Sequence, residues 1–140
     1  MKPPTREEID VYHSLDGMTA WKHFRNKTLD QAEALFRENG LRYCQDLMWM
    51  GPKAFNFYLQ AAYRYVQSGY SEGDSDMINC LSSVIEYRLN EKESSIAAER
   101  VLQLIEYVID NYGKFEADVA IYGDLLAKYR QLREKVKATI

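Results

Sequence analysis

His13 and His23 are the only histidines in the chain. Asp10 precedes His13 by three residues, a spacing that puts both on one helical face and could share a metal ion. No HExxH and no paired Glu-x-x-His accompanies them. Both histidines therefore read as surface or partly packed side chains. Glu72, Asp74 and Asp76 stand where the first three ligands of a calcium loop would stand. The sixth position is then Met77 rather than glycine, and the twelfth is Ser83 rather than glutamate. The sharp turn and the bidentate ligand are both lost, so the stretch reads as an acidic loop with a helix cap at Asp74 or Ser75. There is no GxSxG, no P-loop and no GxGxxG. Cys44 has only Arg42 as a positive neighbour, which argues for no low-pKa thiolate. No catalytic residue, metal ligand or cofactor-binding residue is assigned on these grounds, no cofactor is expected, and the chain reads as non-enzymatic.

Two helical stripes remain as candidate sites. The first is Glu99, Glu106 and Asp110, with Gln103 between them, along one face of a helix expected over 94–112. It belongs to the most acidic part of the chain. Residues 70–124 carry a net charge of −8, residues 1–69 a net of +1 and residues 125–140 a net of +4, within a total of −3. An acidic face of this kind can steer and dock a basic protein. The second stripe is Asn56, Gln60 and Arg64. If it lined a cleft, its amide and guanidinium groups could hold an anionic or amide-bearing ligand. Each stripe has a plainer counterpart in the solvated side of an amphipathic helix.

The elements that must carry these side chains are helical throughout, since period-2 strand signals are missing. Thr5 and Glu8 form a capping-box pattern that opens a short helix to about Leu15, where Asp16-Gly17 breaks it. A second short helix fits 18–25. Thr28 and Gln31 repeat the capping box for a helix over about 29–39, stopped by Asn39-Gly40. Leu41–Met50 reads as a connecting segment, at most a helical turn. Pro52 then starts a helix that runs to about residue 67, with Gly69 just beyond. Its polar residues Lys53, Asn56, Gln60, Arg64 and Gln67 form one thin strip, so it belongs in the centre of a bundle. After the loop 68–75 come helices over about 76–90, 94–112 and 115–137. The last would be a single rod of about 35 Å whose 3-4 repeat could pair with a second copy of the chain.

A length of 140 residues fits one domain. The expected fold is thus an all-α, single-domain bundle of five to six helices, with the loop at 68–75 dividing two halves. The missing basic excess speaks against a nucleic-acid partner. The longest charge-free stretch, Ala54–Tyr63, is far shorter than the roughly 20 residues that span a bilayer. The N-terminus MKPPTREEID has no apolar core and is no secretory signal. Cys44 and Cys80 read as buried thiols in a reducing compartment, so a cytoplasmic location is expected. Eleven tyrosines favour an interaction surface, because tyrosine brings large contact at low entropic cost.

Within Asp46–Tyr65, the residues Gly51, Pro52, Ala54, Phe55, Tyr58 and Leu59 resemble a segment of small helical bacterial proteins of unassigned function. There a Gly-Pro turn precedes an Ala-Phe-x-x-Tyr-Leu helix. Some such proteins are thought to be immunity proteins or accessory proteins of toxin systems. Gln60 departs from the pattern, which would have a proline there. The resemblance implies kinship of fold and carries over no functional residue. The reading that follows is a cytoplasmic interaction protein that docks a basic protein on Glu99, Glu106 and Asp110. The alternative is a small-molecule binder or enzyme with a cleft beside Asn56, Gln60 and Arg64.

Overall fold

Thr5 and Glu8 exchange the two hydrogen bonds of a capping box, Thr5 N to Glu8 Oε1 at 2.8 Å and Glu8 N to Thr5 Oγ1 at 3.3 Å. They open α1 (Arg6–Ile9) in a computed structural model that describes residues 2–91 and 96–140. The helix stops at Ile9, earlier than the expected Leu15. Asp10 is buried, and its Oδ1 accepts from Ser14 N at 3.2 Å. Ser14 Oγ accepts in turn from Gly17 N at 2.9 Å. Ser14 is thereby the N-cap of α2 (Leu15–Phe24), and Asp16-Gly17 sits in its first turn instead of breaking a helix. His13, exposed at φ +50°, makes the bend between the two.

The Thr28–Gln31 capping box opens α3 (Leu29–Glu38). Asn39 ends it and at the same time caps the next helix, its Oδ1 accepting from Arg42 N at 3.1 Å. The segment expected to be a connection is therefore α4 (Gly40–Leu47). A short polar side chain that can accept from the backbone two or three residues on is what a helix start requires, and Asn39 supplies it. α5 (Pro52–Gln67) matches its expected bounds. Ala54, Phe55, Tyr58, Leu59, Ala61, Ala62, Tyr65 and Val66 are buried, while Lys53 and Arg64 are exposed.

Past α5, a 3-10 turn (Gly69–Ser71) leads into α6 (Ser75–Leu89), capped by Asp74 Oδ1 at 3.2 Å from Met77 N. α7 (Ala98–Asp110) follows. Residues 94 and 95, where the sequence placed its start, lie outside the described residues. Gly113 does not terminate α7. Asn111 does, and Gly113 lies within a second 3-10 turn (Tyr112–Phe115). The expected 23-residue rod is divided into α8 (Val119–Tyr122) and α9 (Leu125–Lys137). Gly123 at φ +71° separates them, and Asp118 and Asp124 cap each piece. The described residues thus hold nine α-helices and no strand, more than the expected five to six; Asn39 starts α4 where a connecting segment was expected, and Gly123 divides the last helix in two.

The chain divides into two compact units, Met1–Tyr65 and Val66–Ile140, a few residues before the loop at 68–75. In the first unit, α4 packs on α2 and α3 around an aromatic cluster. Phe24 lies 4.8 Å from Tyr58, 5.9 Å from Phe36 and 6.2 Å from Tyr43. Tyr58 Oη reaches the carbonyls of Phe24 at 2.9 Å and Lys27 at 3.0 Å, and burial pushes its hydroxyl pKa up to about 12. In the second unit, α9 packs on α6 and α7. Lys114 Nζ donates to the carbonyls of Val66 and Ser68, both at 2.9 Å, satisfying groups at the end of α5 that lack helical donors. No helix among the described residues is long and apolar enough to cross a membrane. Cys44 and Cys80 are both buried thiols outside any disulfide.

Candidate functional site

In the first unit, α2 presents Asp16, Thr19 and His23 at spacings of three and four, one face of the helix. Facing it, α4 and the turn after it present Arg42, Gln45, Asp46 and Trp49 at the same periodicity. These seven residues line one cleft of about 350 Å³. Its floor is a hydrogen-bonded pair. His23 Nδ1 lies 2.6 Å from Asp46 Oδ2, with Asp46 buried and the His23 side chain 21% exposed. Burial pushes the Asp46 carboxyl above its usual range. The hydrogen bond from His23 and the positive charge of Arg42 pull it down without cancelling that effect.

The pair fixes the imidazole. With Nδ1 donating to Asp46, Nε2 carries the lone pair and accepts from Arg42 Nη2 at 3.4 Å. Tyr43 holds the ring from the side, edge-on at 5.1 Å, and is itself packed on Phe24. A carboxylate-oriented imidazole is suited to accept a proton or a hydrogen bond from a bound molecule. The one hydroxyl lining the cleft, on Thr19, donates to Leu15 O at 3.1 Å along its own helix. The arrangement therefore offers acceptors and a guanidinium to a ligand, but no protein nucleophile.

The polar stripe of α5 lies elsewhere. Arg64 is exposed and pairs with exposed Asp30 at 3.2 Å. Gln60 Nε2 donates back to Phe57 O at 3.1 Å, and Asn56 is half-buried. None of the three lines the His23 cleft. On α7 in the second unit, Glu99 and Asp110 are exposed and Glu106 is half-buried. Their spacing of seven and four residues sets them on one face, and none forms an ion pair with a described residue. The acidic loop is otherwise engaged. Asp74 caps α6, and Asp76 receives the hydroxyl of Tyr122. Among the tyrosines flanking it, Tyr65 is buried, Tyr63 half-buried and Tyr70 exposed.

The sequence reading passed over His23, Asp46, Arg42, Asp16 and Trp49 as a group. Two signals were available. Arg42, Asp46 and Trp49 recur at four and three residues, as a helix face would, and Asp46 sits beside the apolar Leu47. The link between the two faces spans 23 residues and appears only once α2 and α4 pack. No protein-family model, no curated protein and no solved structure matches this chain.

Proposed function

We propose that the chain is a cytoplasmic interaction protein that docks a basic protein on the α7 face carrying Glu99, Glu106 and Asp110. The observation that carries this is the alignment of three carboxylates on one helical face, none of them in an ion pair with a described residue. Left uncompensated, such a face attracts positive charge over a distance of about one Debye length, roughly 8–10 Å at ordinary salt. The net of −8 over residues 70–124 extends the same field. The buried thiols suit a reducing compartment. The resemblance of Asp46–Tyr65 to small bacterial helical proteins supports an immunity-like role, in which an acidic surface occupies a basic toxin. The alternative beside Asn56, Gln60 and Arg64 has weaker support, because Arg64 already has Asp30 and Gln60 bonds to its own helix.

The test is affinity capture from lysate with the native chain and with a Glu99→Lys, Glu106→Lys, Asp110→Lys variant, at low and high salt. The expected result is one stoichiometric basic protein that is held at low salt, released at high salt and not held by the variant. Circular dichroism would check that the variant is folded. Equal capture by both chains would sink the proposal. A homodimer through residues 115–137 is a separate proposal. Tyr129, Leu132 and Val136 are buried within the second unit, so it would rest on the exposed Val119 and Ile121. Light scattering that reports a monomer at all concentrations would remove it.

A further inference from the structure

The cleft between α2 and α4 has a chemistry that the α7 proposal does not use. Its volume of about 350 Å³ falls at the small end of ligand pockets, which run from about 300 to 1,000 Å³. Its polar groups are of two kinds. Acceptors are the Asp16 carboxylate and His23 Nε2, the latter aimed by the buried Asp46 at 2.6 Å. Donors are the Arg42 guanidinium and the Gln45 amide. Trp49, 37% exposed, adds an apolar wall.

The mixture restricts the ligand. A simple anion would meet Asp16 and Asp46. A simple cation would meet Arg42. A small molecule with an ammonium and a carboxylate side by side satisfies both sets. Arg42 is exposed, and its contact to His23 Nε2 at 3.4 Å is long for a hydrogen bond. Its guanidinium can therefore turn to a bidentate grip on a carboxylate, the pairing that its planar fork favours. That movement uncovers Nε2 as an acceptor.

We propose that this cleft binds a free α-amino acid. Its ammonium donates to Asp16 and to His23 Nε2, its carboxylate accepts from Arg42, and its side chain lies against Trp49. Asp46 is a positioning residue, because it sets which ring nitrogen faces the ligand. The site lies wholly in the first unit and is independent of the α7 face.

The experiment is calorimetric titration of the full chain with each common L-amino acid, then with the N-acetyl and methyl-ester forms of the best binder. The expected result is saturation at one molecule per chain by at least one amino acid. Both blocked forms should bind at least about tenfold more weakly, since each loses a charged hydrogen bond. Arg42→Ala and Asp16→Asn should weaken binding by a similar factor. Both positions are exposed, so their melting curves should match the native chain. The proposal is overturned if no amino acid saturates the native chain. It is equally overturned if the blocked forms bind as well as the parent, or if both variants keep full affinity.

Discussion

His23 and Asp46 stand 23 residues apart in sequence and 2.6 Å apart in space, the histidine near the end of α2 and the aspartate near the end of α4. The pair joins two helices and aims one ring nitrogen into a cleft. Burial raises the Asp46 carboxyl, which ties its contribution to pH. Between its ordinary value and the raised one, the folded chain binds more protons than the unfolded chain. This group's contribution to stability is therefore largest below that window and falls as pH rises through it. Asp46→Asn should flatten that part of the profile, read by urea unfolding at a series of pH values. A profile identical in slope to the native one would show that Asp46 does not titrate in this way.

Gly51 sits where a Cβ would approach the Glu8 carbonyl oxygen to 2.6 Å, and its own N–H donates to Ile9 O at 3.2 Å. The entry to α5 is thus pressed against the end of α1. Because the obstacle is backbone, it cannot swing aside. Gly51→Ala should cost about 1–3 kcal/mol and lower the melting temperature by several degrees. An unchanged melting curve would contradict the close approach.

Tyr58→Phe keeps the ring among Phe24 and Phe57 but removes the hydroxyl that reaches the carbonyls of Phe24 and Lys27. Phe24 O keeps its bond from Lys27 N at 3.0 Å, so the cost is that of the lost hydroxyl bonds, about 1 kcal/mol. The loss should appear in the denaturation midpoint with the slope unchanged.

Gly123 adopts φ +71° and ψ −157°, a region open almost only to glycine. A Cβ there would meet nothing within 4 Å, so any cost of Gly123→Ala comes from the backbone alone. The expected loss is about 1–3 kcal/mol. If the substitution were neutral or stabilising, α8 and α9 would be able to join as one helix.

The sequence by itself determined the helical class, the bounds of α3, α5 and α6, and the caps at Thr5, Thr28 and Asp74. These depend on local causes: hydrogen bonds three residues long and an apolar face with a 3.6-residue period. It also located the acidic stripe of α7, since charge on one helical face is a one-dimensional property. It misplaced the breaks. Gly17 and Gly113 read as stops yet lie inside helical turns, because Ser14 and Asn111 set those boundaries through their neighbours. Asn39 reads as an end and proves to be an end and a start together. Only the tertiary structure decided the cleft. Asp16, Thr19 and His23 become a wall when α4 packs on α2, and Asp46 becomes a buried partner only when His23 covers it. A contact across 23 residues depends on how helices are arranged, and that arrangement follows from the packing of Phe24, Phe36, Tyr43 and Tyr58 rather than from any local spacing.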